Sequence, residues 1–217
     1  MPWTTPTTAV AGNAILASLW NSDVRDNSLM GNPVFTTEAA RDAVITAPVE
    51  GQRAYLTAPT VPAATGATTF VPTGVQTIYN GSVWVCVTPV GAVTPAGGTT
   101  TSTSYTATLS GSPGTNPTVT LVTGTTALIH LKCDVYNTNL NAYALVGVAV
   151  SGAGTVAASD DYAMYHKMAV ADNQITYGVS FILGGLTAGT NTFTMQYKVS
   201  SNTGTFAKRS ITVQGIA

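Results

Sequence analysis

Few residues in this chain are of types that could do chemistry, and they fall close together. The run SDDYAMYHK, residues 159–167, brings Asp160, Asp161 and His166 into one short segment. Two carboxylates acting as acid and base, as in glycoside hydrolysis, must face each other across a substrate at a defined separation. Adjacent aspartates on a strand point to opposite faces, so Asp160 and Asp161 read as turn residues rather than a working pair. His166 can meet Asp161 only through a bend. The last 118 residues, 100–217, otherwise offer only Asp134 and Asp172 as carboxylates. No G-x-S-x-G is present, so there is no nucleophile elbow. The expectation is a protein without catalytic residues.

Metal and cofactor chemistry has little to stand on. Cys86 and Cys133 are the only cysteines, and His130 and His166 the only histidines. Their spacing matches no zinc knuckle. One disulfide is open to the two cysteines, although two buried thiols on strands is the simpler reading. The Gly-rich stretches match no phosphate-cradling motif, and no cofactor is expected. Tyr136, Tyr143, Tyr162 and Tyr165 fall near strand ends beside polar loops. Exposed there, they could contact a glycan; packed, they would serve the core or a subunit interface. Asn80-Gly81-Ser82 is formally a glycosylation sequon, but a hairpin turn explains it.

The composition says what must position these groups. The chain has 217 residues, enough for one large β domain or two smaller modules. Hydrophobic residues make up 45% and charged residues only 8%, against about 25% in ordinary globular proteins. With a net charge of -1 there is no basic stripe for nucleic acid. The apolar runs are too short and too broken by Gly and Thr for a membrane span. The start, MPWTTPTTAVAG, lacks the basic-then-apolar order of a secretory signal, so assembly in a cytoplasm is expected. Residues 23–53 hold eight charged groups, Asp23, Arg25, Asp26, Glu38, Arg41, Asp42, Glu50 and Arg53, whereas residues 54–131 hold none. The 38 threonines supply hydroxyls in place of charge and favour pleated strands. Such a chain suits a durable, particle-bound protein.

Residues 1–12 read as an extended lead. In NAILASLWNSDVRDNSLMG, the residues Ile15, Leu16, Leu19, Trp20 and Val24 recur at helical spacing, with Asn13 as N-cap and Gly31 as stop. A lone helix of this length needs a partner surface. Trp3, Leu16, Leu19, Trp20, Val24 and Arg25 are the candidate docking residues on residues 1–33. Residues 34–87 read as a small connector. Thr36 or Thr37 caps a short helix with Glu38 in its first turn, Arg41 pairs with Glu38, and Pro48 ends it. Gln52 to Thr57 reads as a strand. Asn80-Gly81 signals a type I′ hairpin, with Ile78 and Trp84 against the helix. TPVGAVTPAGGTTTSTS reads as a linker, bounded at 88–99. Eight short β-like runs then follow within 100–217: SYTATL, PTVTLV, TALIHLKCDVYN, AYALVGVAV, YAMYHKMAV, QITYGVSFIL, NTFTMQYKV and TFAKRSITVQ. Their alternation and turn spacing predict a mainly β chain ending in an antiparallel, jelly-roll-like sandwich.

Three stretches resemble tailed-bacteriophage virion fibre proteins of the minor-tail and head-fibre type. PWTTPTTAVAGNAILASLWNSDVRDN is similar to their lead and first helix, although Gly12-Asn13 stands where that lead often has Gly-Glu. TTEAARDAVITAPVEGQRAYLTA followed by TIYNGSVWV is similar to their Ala-Ala-Arg-Asp-Ala, Pro-x-Glu-Gly and Asn-Gly-x-x-Trp pattern. LTAGTNTFTMQYKVSSNTGTFAKRSITV is similar to the closing strands of their tips. The resemblance implies an N-terminal virion-attachment segment, a connector and a projecting C-terminal sandwich, as a homotrimer. Its partners would be phage capsid or tail proteins, with a host surface glycan as the alternative ligand, and no nucleic acid or membrane.

Overall fold

The structure, a computed structural model, describes residues 31–169 and 174–217. The docking residues Trp3, Leu16, Leu19, Trp20, Val24 and Arg25 lie outside the described residues. The first described elements are β1 (Val34–Phe35), α1 (Glu38–Val44), β2 (Arg53–Leu56), β3 (Ala63–Thr65), β4 (Thr68–Phe70), β5 (Val75–Tyr79) and β6 (Trp84–Cys86). Strands β1, β2, β5 and β6 form a four-stranded sheet in that order.

Helix α1 starts where Thr37 Oγ1 accepts a hydrogen bond from the Ala40 N–H at 3.3 Å, as an N-cap should. The expected Glu38–Arg41 pair is replaced by two separate anchors. Arg41 bonds Asp42 at 2.8 Å and lies over the Trp84 ring at 4.6 Å, buried at the sheet. Glu38 instead accepts from the N–H groups of Thr60 (3.1 Å) and Val61 (3.0 Å), tying the helix to the following loop. A planar guanidinium gains more over an indole than from an exposed carboxylate one turn away. Tyr79, rather than Ile78, joins Trp84, Ile45 and Ala54 beneath the helix.

The Asn80-Gly81 hairpin is present but is not a two-residue type I′ turn. Tyr79 pairs with Trp84, leaving residues 80–83 in the loop, and only Gly81 takes a positive φ, +88°. The Asn80 carboxamide oxygen accepts from the N–H groups of Ser82 (3.1 Å) and Val83 (2.9 Å). The side chain therefore does the work that left-handed backbone would do in the tighter turn.

Strands β7 (Val90–Thr94), β8 (Gly98–Thr100), β9 (Thr118–Thr123), β10 (Thr126–Asn137) and β11 (Tyr143–Gly152) follow. A short 3-10 helix (Asp160–Tyr162) precedes β12 (Met164–Lys167), β13 (Ile175–Leu183), β14 (Gly189–Val199) and β15 (Gly204–Ile216). Two antiparallel sheets result: β13-β10-β15-β7-β4, with β8 also on β15, and β12-β11-β14-β9-β3. The pairing is nested. Strand β7 pairs β15, β9 pairs β14, β10 pairs β13, and β11 pairs β12. A long antiparallel ribbon wrapped into two sheets in this way is a jelly roll.

The expected linker, 88–99, is instead built into the sandwich as β7 and the start of β8, while SYTATL makes only a bridge from Thr106 to Tyr197. The reason is steric. Strand β7 runs between β15 and β4, and a Cβ on Gly91 would come within 3.2 Å of the Ile211 carbonyl. Small residues that resemble a linker in sequence are what this close passage requires. The connector is likewise not separate. Strands β3 and β4 pair into the two sandwich sheets, and Leu56, Val75 and Cys86 join the main core.

The alternation read in the sequence holds. Ile129, Leu131, Cys133 and Val135 of β10, and Phe193, Met195, Tyr197 and Val199 of β14, are buried between the sheets. The two cysteines are buried free thiols rather than a disulfide. Among the described residues Arg41, Asp134 and Arg209 are buried charges, and Arg209 is the least exposed of them. Arg209 is 1% exposed, with its guanidinium over the Tyr197 ring at 5.7 Å. It donates to Asn116 Oδ1 (3.4 Å), the Tyr197 hydroxyl (3.4 Å), the Ala96 carbonyl (3.2 Å) and the Pro113 carbonyl. Arg209 thus gathers the 95–117 segment over one end of the sandwich.

Candidate functional site

Where the strands β12, β11 and β14 lie side by side, their outer face forms a cleft of about 470 Å³. Tyr165, Leu145 and Lys198 are cross-strand partners in one row, so all three project from the same face. Lys167 and Tyr143 form the neighbouring row. Leu145 is the buried floor, and the rings of Tyr143 and Tyr165 stand over it 6.1 Å apart at 53°. Tyr165 is 62% exposed, an unusual amount of open aromatic surface. The Lys167 ammonium lies 5.8 Å from the centre of the Tyr143 ring. Ser200, just past β14, accepts from the Tyr143 N–H at 2.8 Å and fixes that end of the cleft.

The polar wall comes from the 3-10 helix. Ser159 caps it by accepting from the Asp161 N–H at 3.2 Å, which turns Asp160 towards β14. Lys198 Nζ donates to both Asp160 oxygens, at 2.7 and 2.8 Å. That bond, outweighing a smaller effect of burial, holds the Asp160 carboxyl below the usual carboxylate range. The same ammonium lies 5.0 Å above the Tyr105 ring. Tyr105 packs where Gly147 leaves room, since a Cβ there would sit 2.9 Å from the ring. Its buried hydroxyl is pushed up in pKa by burial and then by the neighbouring Asp160 charge.

Two of the four tyrosines singled out in the sequence, Tyr143 and Tyr165, therefore meet in one site. The other two do not. Tyr162 rests on Phe181, with ring centres 5.8 Å apart, and Tyr136 is half-buried against the core. The 159–167 cluster is also dispersed. Asp160 faces Lys198, Asp161 accepts from Ser159 at 3.1 Å, and His166 stacks on Tyr177 at 4.9 Å. Burial lowers the His166 pKa. Sequence reading missed Lys198 and Ser200. Their only signal was the outward phase of β14, where Lys198 alternates with Tyr197 and Val199. Among the described residues no cluster of His, Cys, Asp and Glu could hold a metal ion. No described helix is long and apolar enough to cross a membrane.

The opposite sheet presents a different outer face. Across it run Phe70, Gly91, Thr212, His130 and Ser180 in one row, and Gln214, Leu128 and Ile182 in the next. Phe70 and Ile182 are each 58% exposed, and Leu128 and Ile216 are also open. Its charges are Lys132 and, at one end, an ion pair of Asp134 with Lys208 at 2.7 Å. The cleft-bearing sheet is hydroxyl-clad away from the cleft, with Thr120 and Thr192 bonded at 2.8 Å.

No protein-family model matches this chain, and no curated protein does. Among solved structures it is similar to an Eiger TNF from S. frugiperda, with a TM-score of 0.38 and 9% identity over 56% of this chain and 85% of that one. It is similar to a chain of infectious bursal disease virus, Gx strain, with a TM-score of 0.36 and 10% identity over 65% of this chain and 39% of that one. A xylan-binding module matches with a TM-score of 0.27 and 12% identity over 76% of this chain and 96% of that one. All three scores are low, and the jelly-roll character rests on this chain's own nested strand pairing.

Proposed function

We propose that this chain is a structural protein of a bacteriophage particle: a homotrimer held to capsid or tail by residues 1–33 and displaying its sandwich outwards. The observation that carries this reading is the outer face of the β13-β10-β15-β7-β4 sheet. It combines open Phe70, Leu128 and Ile182 with Gly91, Thr212, Ser180 and Gln214 across the same rows, the charges of the face being Lys132 and the Asp134–Lys208 pair. Apolar side chains of this size each contribute roughly 1.5–3 kcal/mol when fully buried. Ser180 and Gly178 of β13 are small and exposed, which allows another chain's surface to approach closely there. The opposite face, with its threonines and its cleft, remains free to face outwards. The sequence resemblance of residues 1–87 and 186–217 to virion fibre chains supports the particle location. A second reading, a tail adhesin that recognises a host glycan, is favoured by the exposed Tyr143–Tyr165 corner.

Light scattering on the full-length chain at micromolar concentration is expected to give a trimer. The double variant Leu128→Asp, Ile182→Asp is expected to give a folded monomer, since both changes lie on the outer face and leave the core intact. A wild-type chain that is monomeric would overturn the reading. So would a double variant that stays trimeric. For the particle role, deletion of residues 1–30 is expected to abolish incorporation into particles without loss of the folded sandwich; normal occupancy of the truncated chain would refute it.

A further inference from the structure

We infer that the cleft over Leu145 binds a neutral pyranose of a surface polysaccharide. The inference rests on the second reading, a glycan-recognising surface, and does not depend on the trimer. Three features of the cleft converge on this ligand class. The first is aromatic. Tyr143 and Tyr165 stand at 53° to one another, so they form a corner rather than a flat stack. One ring can take the apolar C–H face of a sugar while the other borders its edge. Tyr165 carries the larger open face.

The second feature is the paired charge. Asp160 accepts and Lys198 donates, and they lie side by side, 2.7 Å apart, beside the tyrosines. Neighbouring hydroxyls on a pyranose each carry a donor and an acceptor. One can donate to the carboxylate while the next accepts from the ammonium. Because the pair is neutral as a unit, it asks for no net charge on the ligand, and sugar hydroxyls can replace the water they displace from it. Within the lining a sugar carboxylate would meet the Asp160 carboxylate, ionised at neutral pH like any aspartate, while the Lys167 cation stands outside the lining beside the Tyr143 ring. The third feature is size and shape. At about 470 Å³ the cleft falls in the range of small-molecule sites, about 300–1,000 Å³. It lies open along the sheet face, which allows a longer chain to continue past the bound ring.

The plain alternative is that Tyr143 and Tyr165 only pack against one another. That accounts poorly for Tyr165, whose ring is left largely in water next to an ion pair with unfilled donor and acceptor capacity. The site is also rigid. Tyr143, Tyr165 and Lys198 stand on three paired strands, Lys198 holds Asp160 of the capped 3-10 helix, and the Ser200 hydroxyl holds the Tyr143 backbone.

The test uses the full-length chain and saccharide probes observed by ligand-detected NMR. The neutral probes are trisaccharides of glucose, galactose, mannose and N-acetylglucosamine; the acidic probe is a galacturonic acid trisaccharide. At least one neutral probe is expected to bind at millimolar concentration or below. Tyr165→Ala and Lys198→Ala should each weaken that binding by about tenfold or more, equivalent to about 1.4 kcal/mol. Val34→Ala, 63% exposed on β1 in the separate four-stranded sheet, should leave it unchanged. Light scattering on the same samples should show an unaltered oligomeric state, which separates failure of the cleft from failure of assembly. The inference is overturned if none of the neutral probes binds, if only the acidic probe binds, or if binding survives both cleft substitutions.

Discussion

Arg209 offers the sharpest test of how the fold is held. It is 1% exposed and faces no carboxylate among its hydrogen-bond partners. Its charge is spread over two backbone carbonyls, Ala96 and Pro113, the Asn116 side chain and the Tyr197 hydroxyl and ring. Two opposing terms set the effect of substitution. Removing the cation relieves a desolvation cost of several kcal/mol. Removing the fork releases the part-buried carbonyls of Ala96 and Pro113, which water can partly reach, at about 0.5–1.5 kcal/mol for each bond lost. Arg209→Met takes both terms, which are opposite in sign and similar in size, so a net change within about 2 kcal/mol of the wild type is expected. Arg209→Lys keeps the charge but cannot reach Ala96, Pro113 and Asn116 together. A lysine there is a buried cation with incomplete partners, and a loss of about 3–5 kcal/mol is expected. Urea unfolding at one fixed protein concentration measures both. Hydrogen exchange should place the early opening in residues 95–117. A lysine variant as stable as the wild type, or a methionine variant as destabilised as the lysine one, would refute the fork geometry as the cause.

Acid should loosen the helix end of the molecule through Glu38. Burial would raise its pKa, but the N–H groups of Val61 and Thr60 and the Thr60 hydroxyl outweigh that and lower it below its ordinary 4.5. A depressed folded pKa means that the stabilisation is complete above the unfolded value and is lost as pH falls through the folded one. The melting temperature of Glu38→Gln should therefore fall less steeply than that of the wild type between roughly pH 5 and 3; parallel curves would contradict the assignment. Asp134, also held down in pKa against the effect of burial by Lys208 and Thr176, contributes to the same acid limb in both proteins. Neither thiol should react with a thiol reagent in the folded state near pH 8. Both are buried, and burial pushes Cys86 up to about 11. Two thiols should appear on denaturation, whereas none would reveal a disulfide.

Strands β10 and β14 were readable because a half-buried strand must alternate, and one periodic run sufficed to place Ile129, Leu131 and Cys133 inwards. The helix cap at Thr37 was readable for a similar local reason, since its bond is made within four residues. Strand β7 was not. Gly91 and Ala92 look like a linker until β15 and β4 are seen to press on either side. The turn at Asn80-Gly81 was seen but its type was misjudged, because the Tyr79–Trp84 register decides how many residues the loop keeps.

The candidate site divides along the same line. Tyr143 and Tyr165 stood out by residue type, as did Asp160, although Asp160 suggested catalysis rather than binding. Nothing local joins them to Lys198, 33 positions after Tyr165. Side-chain periodicity is a property of a single strand, so the sequence by itself determined which residues face in or out and hence the β class. Which strands lie side by side depends on distant segments meeting, and that only the tertiary structure decided. By setting β12, β11 and β14 next to one another, it made a cleft from two tyrosines, a lysine and an aspartate that no spacing rule connects.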